Sequence, residues 1–189
     1  MAVIHDRDSA AGRPPAARTA PGAPASARTT VAAHYVLAVL RIVVGWTFLW
    51  AFLDKVFGLG YATPAARAWV DGGSPTKGFL SSSTGPFSGF WHDLAGTGVA
   101  NWLFMLGLLG IGTAFLLGIG MRIAAVAAAT MYLLMYTVVL PPENNPVTDD
   151  HILGALIVIA LALLAAGDTL GLGRWWKSQP LVKRYPWLS

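Results

Sequence analysis

Four long apolar stretches divide the chain, at about 35–57, 99–119, 123–140 and 151–170. A helix rises about 1.5 Å per residue, so roughly 20 residues cross a hydrocarbon core of about 30 Å. Because lipid offers the backbone no hydrogen-bonding partner, each crossing must be helical. The pattern therefore predicts an all-α integral membrane protein, a four-helix bundle formed by residues 31–172.

The segments on either side of the bundle have different compositions. Residues 1–30 are rich in Ala, Pro and Arg and contain no apolar run of the length that a secretory signal needs. This composition predicts a disordered cytoplasmic arm and not a cleaved leader. Residues 173–189 form a basic tail with three Trp residues, which is typical of a segment at the membrane surface.

The loop between the first two apolar stretches, roughly residues 58–98, is too long for a plain connector. Thr63-Pro64 and Ser74-Pro75 each resemble the cap and first residue of a helix. A third amphipathic piece follows at 86–95. We therefore expect short helices in this loop, lying at the outer interface or folding back over the bundle as a lid.

Composition narrows the class of protein further. Of the 189 residues, 55% are apolar and only 12% are charged, about half the usual fraction of roughly 25%, which excludes an ordinary soluble enzyme. The chain has no Cys, so disulfides, thiolate catalysis and Cys-bound iron–sulfur clusters are excluded. Any redox chemistry needs a bound cofactor or another subunit. The formal charge of +4 is too small and dispersed to indicate a nucleic-acid partner.

The positions of Lys and Arg predict the orientation, because cytoplasmic loops carry the excess of basic residues. The predicted cytoplasmic residues are Arg7, Arg13, Arg18, Arg28, Arg122, Arg174, Lys177, Lys183 and Arg184. The opposite side has only Lys55, Arg67 and Lys77. We therefore expect a multi-pass protein of a bacterial-type plasma membrane with both ends inside. The outer loops then hold five carboxylates, so an anion would need a local cationic pocket there, formed by Lys55 with Lys77 or Arg67.

The first crossing carries three charged residues, Arg41, Asp54 and Lys55. Two placements are open: Arg41 and Lys55 either reach the nearest membrane surface or face the bundle, where they would hold an anion or a quinone carbonyl. Asp54 has a short side chain, which favours a proton acceptor or a buried ion-pair partner. Trp46 and Trp50 share a helix face with Asp54, since they recur every four residues.

Two further motifs have structural interpretations. The second crossing has Gly110, Ala114 and Gly118 at four-residue spacing, and such a stripe favours close packing of helices in lipid. Before the fourth crossing, Asp149 or Asp150 is expected to cap the helix. Neither these carboxylates nor the His residues have a spacing diagnostic of metal, so no metal, haem or iron–sulfur site is predicted.

Four fragments resemble the DoxX/DoxD family: Arg41–Gly60, Gly72–Leu80, Asn101–Ala125 and Asn144–Leu156. The GGSPTKGFL stretch is most similar to the DoxD branch. This resemblance implies a four-helix membrane subunit of a thiosulfate:quinone oxidoreductase, which oxidises thiosulfate to tetrathionate and passes the electrons to membrane quinone beside a second subunit. The resemblance also implies that four positions are commonly shared with members of this family: Arg41, Gly45, Lys55 and Arg122.

The leading hypothesis is thus a subunit of a quinone-linked oxidoreductase, with the lipid bilayer, membrane quinone and a second subunit or redox enzyme as partners. The predicted catalytic residues are Asp54 and Lys55, and the predicted substrate-binding residues are Arg41, Trp46, Trp50 and Lys77. The alternatives are a non-catalytic membrane scaffold that recruits a redox or detoxifying enzyme to the inner face, and a small solute or ion carrier.

Overall fold

The computed structural model describes the backbone of residues 25–189 and the side chains of residues 29–189. Every regular element in this part of the chain is helical, which confirms the predicted all-α class. The α-helices are α1 (Ala25–Phe57), α2 (Lys77–Leu80), α3 (Ser88–Leu94), α4 (Gly98–Leu117), α5 (Met121–Val138), α6 (Asp150–Leu163), α7 (Gly173–Ser178) and α8 (Pro180–Arg184). The predicted disordered arm lies outside the described residues, except that its last part, 25–30, begins α1.

Three helices are long and apolar enough to cross a membrane: Thr29–Phe57 within α1, α4 and α5. They correspond to the first three predicted crossings, with ends shifted by a few residues and an earlier start of α1. The α4 helix begins at the Thr97 cap, whose hydroxyl accepts from Ala100 N–H, and ends at Gly118 in the left-handed conformation. Such a pair of caps ends a helix sharply at both sides.

The fourth predicted crossing is shorter than its hydropathy indicated. Apolar residues continue to about 170, but α6 has 14 residues and ends at Leu163, so it is about 21 Å long. Ala165 then takes a left-handed conformation, with φ of 51°, and a 3-10 turn follows at Ala166–Asp168. The chain turns here because it packs against the α4–α5 connection, where a side chain on Gly167 would lie 2.5 Å from the Gly118 carbonyl.

The long helices pack in sequence order: α1 against α4, α4 against α5, and α5 against α6. The closest approach is between α1 and α4. A Cβ on Gly45 would lie 2.7 Å from the Leu116 nitrogen, and one on Gly112 would lie 2.7 Å from the Leu49 nitrogen. The predicted stripe of small residues was wrong at Gly110, where an added Cβ would meet nothing within 4 Å. The close packing therefore uses a neighbouring face of α4.

The first loop is folded against one end of the bundle. As predicted, it contains short helices, α2 and α3, together with 3-10 turns at Ala65–Arg67 and Trp69–Asp71. The predicted cap positions were wrong, because Pro64 and Thr76 precede the first turn and α2, and neither caps through its side chain. A small core connects the loop to the start of α4 and the end of α5, and it consists of Leu80, Trp91, Ala100 and Val138. We call this end of the bundle the Lys55 end.

The C-terminal tail packs at the other end, which we call the Arg41 end. The indole N–H of Trp176 in α7 donates to the Leu188 carbonyl at 2.7 Å, and Arg122 at the start of α5 donates to the Pro186 carbonyl at 3.3 Å. Lys177 forms an ion pair of 2.7 Å with Asp168. These contacts fix residues 173–189 to the bundle.

The packing of α1 on α4 generates a stability prediction with an internal control. We expect Gly112→Ala to lower the free energy of unfolding by about 1–3 kcal/mol, because its methyl group would collide with the α1 backbone. Gly110→Ala should be neutral or stabilising by up to about 1 kcal/mol, since Ala is the better helix former and the space is open. Unfolding of both variants in detergent micelles by denaturant measures the difference. Equal stability of the two variants would contradict this packing.

Candidate functional site

Arg41 is completely buried and faces the bundle. Its Nη1 donates to the carbonyls of Phe115 and Leu116, the latter at 2.9 Å, and its Nη2 donates to the Leu170 carbonyl at 2.8 Å. The carbonyls in the last turn of α4 have no partner within their own helix, so the guanidinium satisfies them. Arg41 thus joins α1, α4 and the segment after α6, and it lies away from the cavity described below.

Asp54 is also buried, with 1% of its surface exposed. Its carboxylate oxygens accept hydrogen bonds from the backbone N–H groups of Tyr61 and Ala62, at 3.2 and 3.1 Å. No ion pair joins Asp54 to a cation within 4 Å among residues 29–189. Asp54 therefore fixes the first turn of the loop that follows α1, and it acts on Lys55 only electrostatically from beyond 4 Å and not as a direct ion pair.

Trp46 and Trp50 lie together on α1, as their spacing predicted. Their ring centroids are 5.7 Å apart, and Trp50 makes an edge contact of 5.1 Å with Tyr61. Trp46 is half exposed. Neither ring lines the cavity. The pair instead covers part of the outward surface of α1.

A cavity of about 680 Å³ lies at the Lys55 end, between α4, α5 and the first loop. Its walls are mostly apolar, and along α4 and α5 they run from Ala100 to Ile111 and from Ala127 to Val138. Each of these stretches rises by about 16 Å. The cavity is therefore elongated and deep enough to reach the middle of a hydrocarbon core.

The cavity opens sideways, between α4 and α5. Leu103 and Leu134 line it and are 67% and 50% exposed, and Ala127 and Thr130 beside them are also exposed. These residues lie on helices long enough to span a membrane. A lipid-soluble molecule would reach the cavity from the bilayer without crossing water.

Two cations provide the polar end of the cavity. Lys55, in the last turn of α1, lines it, and its Nζ lies 5.9 Å from the ring centroid of Phe104. Arg67, from the first 3-10 turn, also lines it. No Asp or Glu is among the lining residues, and no carboxylate of residues 29–189 lies within 4 Å of either cation. The cavity is thus apolar in its length and positive at one end.

The first loop is held over the cavity by one amide side chain. The Asn101 Oδ1 accepts from the Ser74 hydroxyl at 3.0 Å, from the Thr76 N–H at 3.2 Å and from the Thr76 hydroxyl at 2.7 Å. Thr76 Oγ1 in turn accepts from the Gly96 N–H at 3.3 Å. Ser74 and Thr76 both line the cavity. We call the loop segment of Ser74 and Thr76 the roof of the cavity. Asn101 therefore fixes this roof to the start of α4.

Of the predicted site residues, the structure places only Lys55 at the cavity. It is joined there by Arg67, which the sequence suggested as an alternative member of the cationic pocket. Lys55 and Arg67 share the cavity, whereas Lys77 is exposed and lies outside its lining. Sequence reasoning missed Asn101, whose only signal was a polar residue between apolar ones in the fragment shared with the family. It also missed the walls, because Phe104 and Met131 do not differ in sequence from ordinary membrane residues.

The acidic segment before α6 forms a helix cap. Asp149 accepts from the N–H groups of His151 and Ile152, at 3.0 and 3.3 Å, and its second oxygen lies 2.6 Å from His151 Nδ1. His92 contacts the Ser83 carbonyl at 2.9 Å. Within residues 29–189, no three His, Asp or Glu side chains converge in a way that would hold a metal ion.

Compared with known protein families, with curated proteins and with solved structures, the chain gives no match in any of the three. The geometry of the site therefore carries the functional argument.

We expect Arg41→Gln to lower the free energy of unfolding by roughly 2–4 kcal/mol, because three carbonyls in two segments lose a charged donor inside an apolar bundle. Arg41→Lys should restore only part of this, since one ammonium cannot reproduce the planar fork. The matched control is Arg174→Gln, which removes an exposed charge and should change stability by less than about 0.5 kcal/mol. Denaturant unfolding in micelles measures all three. Equal effects at the two arginines would be the contrary result.

The Asp149 cap predicts a dependence of stability on pH. Burial acts to raise the pKa of Asp149, but the hydrogen bonds from His151 and from the N-terminal N–H groups outweigh it and hold the pKa below the ordinary 3.8. The ionised carboxylate thus contributes stability above about pH 4, and this is lost as the pH falls through the lowered value. Asp149→Asn keeps a capping oxygen but cannot titrate. We expect the variant to lose less stability than the wild type between about pH 5 and 3, and identical pH profiles would contradict this.

Proposed function

We propose that this protein is the membrane subunit of a quinone-linked oxidoreductase and that the cavity at the Lys55 end holds the quinone. The observation that carries the proposal is an apolar cavity that opens sideways between two helices long enough to span a membrane. One end of this cavity is positively charged. Ligand sites of this kind are mostly apolar, with a few polar groups that fix the orientation of the ligand.

The dimensions and the polar groups of the cavity suit a quinone with its isoprenoid tail. The tail would lie along the 16 Å of apolar wall on α4 and α5, and the ring would lie at the Lys55 end. The Lys55 ammonium would donate to a ring carbonyl. Because reduction adds negative charge to that oxygen, a fixed cation beside it stabilises the reduced states more than the starting quinone.

The proposed topology has four crossings, with the N-terminus and the C-terminal tail on the cytoplasmic side. The distribution of basic residues along the sequence supports this orientation. In this arrangement α6, together with the turn at Ala166–Asp168, forms the fourth crossing. The Lys55 end then lies at the outer surface, and the first loop covers the cavity there.

The electron donor follows from the family resemblance alone, and we propose thiosulfate. Oxidation of two thiosulfate ions to tetrathionate releases two electrons, and reduction of the quinone consumes two electrons and two protons. The outer loops carry more carboxylates than cations, so a dianion needs a local positive site. Lys55 and Arg67 provide one at the cavity. In this proposal Arg41 and Asp54 support the site structurally and do not touch either substrate.

The test measures binding of a short-tailed quinone analogue to the protein in nanodiscs. Binding is detected by the quenching of Trp fluorescence. We expect saturable binding that weakens about tenfold in Lys55→Gln, the order expected for loss of one hydrogen bond from a charged donor. Lys183→Gln removes an exposed charge far along the chain and serves as the control. Absence of saturable binding to the wild type would contradict the proposal.

The scaffold hypothesis predicts a different result. A variant lacking residues 1–24 should lose protein partners in a pull-down while keeping the quinone affinity, if the arm recruits an enzyme to the inner face. If instead thiosulfate-dependent reduction of the quinone is retained by this variant and lost in Lys55→Gln, the oxidoreductase is favoured.

A further inference from the structure

The charges around the cavity are unbalanced. Among the described residues, Lys55 and Arg67 are the charged ones that line it, and both are cations. Asp54, the sequence neighbour of Lys55, points to the following loop and accepts hydrogen bonds from Tyr61 and Ala62. The nearest aromatic partner of Lys55 Nζ is the Phe104 ring at 5.9 Å, which offers only a weak interaction.

A cation beside apolar walls is unfavourable unless an anion or several acceptors lie near it. Here the described residues supply no carboxylate within 4 Å of either cation. Asp54 acts on Lys55 electrostatically from beyond 4 Å, and Arg67 is exposed, so a neutral ligand would leave both cations without a direct anionic partner. A ligand with one ionised oxygen would compensate it and would form charge-assisted hydrogen bonds, which are shorter and stronger than neutral ones.

From this imbalance we infer that the cavity selects an anionic amphiphile, whose ionised oxygen lies at Lys55 and Arg67 and whose apolar body extends along α4 and α5. The inference rests on the proposed function for the location of the site and specifies the chemical class of its ligand. Acidic hydroxyquinones, fatty acids and the lysolipid-like half of an anionic phospholipid share this chemistry. An ordinary neutral quinone lacks the ionised oxygen, so we expect it to bind in the same cavity more weakly.

The experiment compares pairs of ligands that differ only in charge. One pair is an alkylated hydroxynaphthoquinone, whose enolic hydroxyl is ionised at neutral pH, and its neutral methyl ether. The other is a long-chain fatty acid and its methyl ester. Affinities are measured on the full chain in nanodiscs of zwitterionic lipid, by Trp quenching for the first pair and by displacement of the hydroxynaphthoquinone for the second.

We expect the ionised member to bind about tenfold tighter than its neutral partner, the order expected for one charge-assisted hydrogen bond. In Lys55→Gln and in Arg67→Gln this ratio should fall towards one, while Lys183→Gln should leave it unchanged. If only the quinone pair shows tighter binding of the ionised member, the ligand class is an acidic quinone. If only the fatty-acid pair shows it, the ligand is a lipid.

Equal affinity for charged and neutral members in both pairs would overturn the inference. This comparison uses the wild type alone, so it remains decisive even if a variant fails to fold. It is also separable from the proposed function: saturable binding of a neutral quinone with no preference for anions would leave the quinone site standing and remove only its anionic selectivity. Failure of every ligand to bind would remove both.

Discussion

A buried guanidinium is the interaction on which the bundle depends. Moving Arg41 out of water is costly, and the cost is offset because its Nη1 and Nη2 atoms donate to carbonyls of two other segments. Those carbonyls, near the end of α4 and beyond α6, would themselves be costly if left unpaired in an apolar setting. The bond to Leu170 also holds the segment after α6 at the end of α4. One side chain thus joins α1 to α4 and to the segment after α6.

The charges of α1 divide into structural and functional groups according to where the helix places them. Arg41 and Asp54 are fully buried, and each is occupied by backbone groups of other segments. Lys55 follows Asp54 directly, but consecutive residues of a helix point about 100° apart, so one joins the loop and the other lines the cavity. Lys55 has no ion pair within 4 Å among residues 29–189 and lines the cavity, so it is the charge of α1 that is available to a ligand.

The sequence was sufficient to predict the helical class, the three long helices, the short helices of the first loop and the capping role before α6, because these follow from local periodicity and caps. It could not predict the site as a whole. Gly45 and Gly112 meet only through the crossing of α1 and α4, so the more regular spacing of Gly110 was misleading. Likewise Asn101 and Ser74 are 27 positions apart, and their contact depends on how the loop folds back.

The roof and the two cations contribute different properties to the cavity, namely its shape and its charge. Asn101 accepts three hydrogen bonds from Ser74 and Thr76, so it fixes the shape of the roof without contributing charge. Lys55 and Arg67 contribute charge, yet Arg67 belongs to a short exposed turn, and the Gly73 N–H joins the end of that turn to the Ser74 segment through the Ala68 carbonyl at 2.9 Å. Loosening the roof would therefore move one cation away from the other. In the proposed site, the distance between the two cations would therefore depend partly on a neutral amide, which fixes the segment of Ser74 and Thr76 to α4.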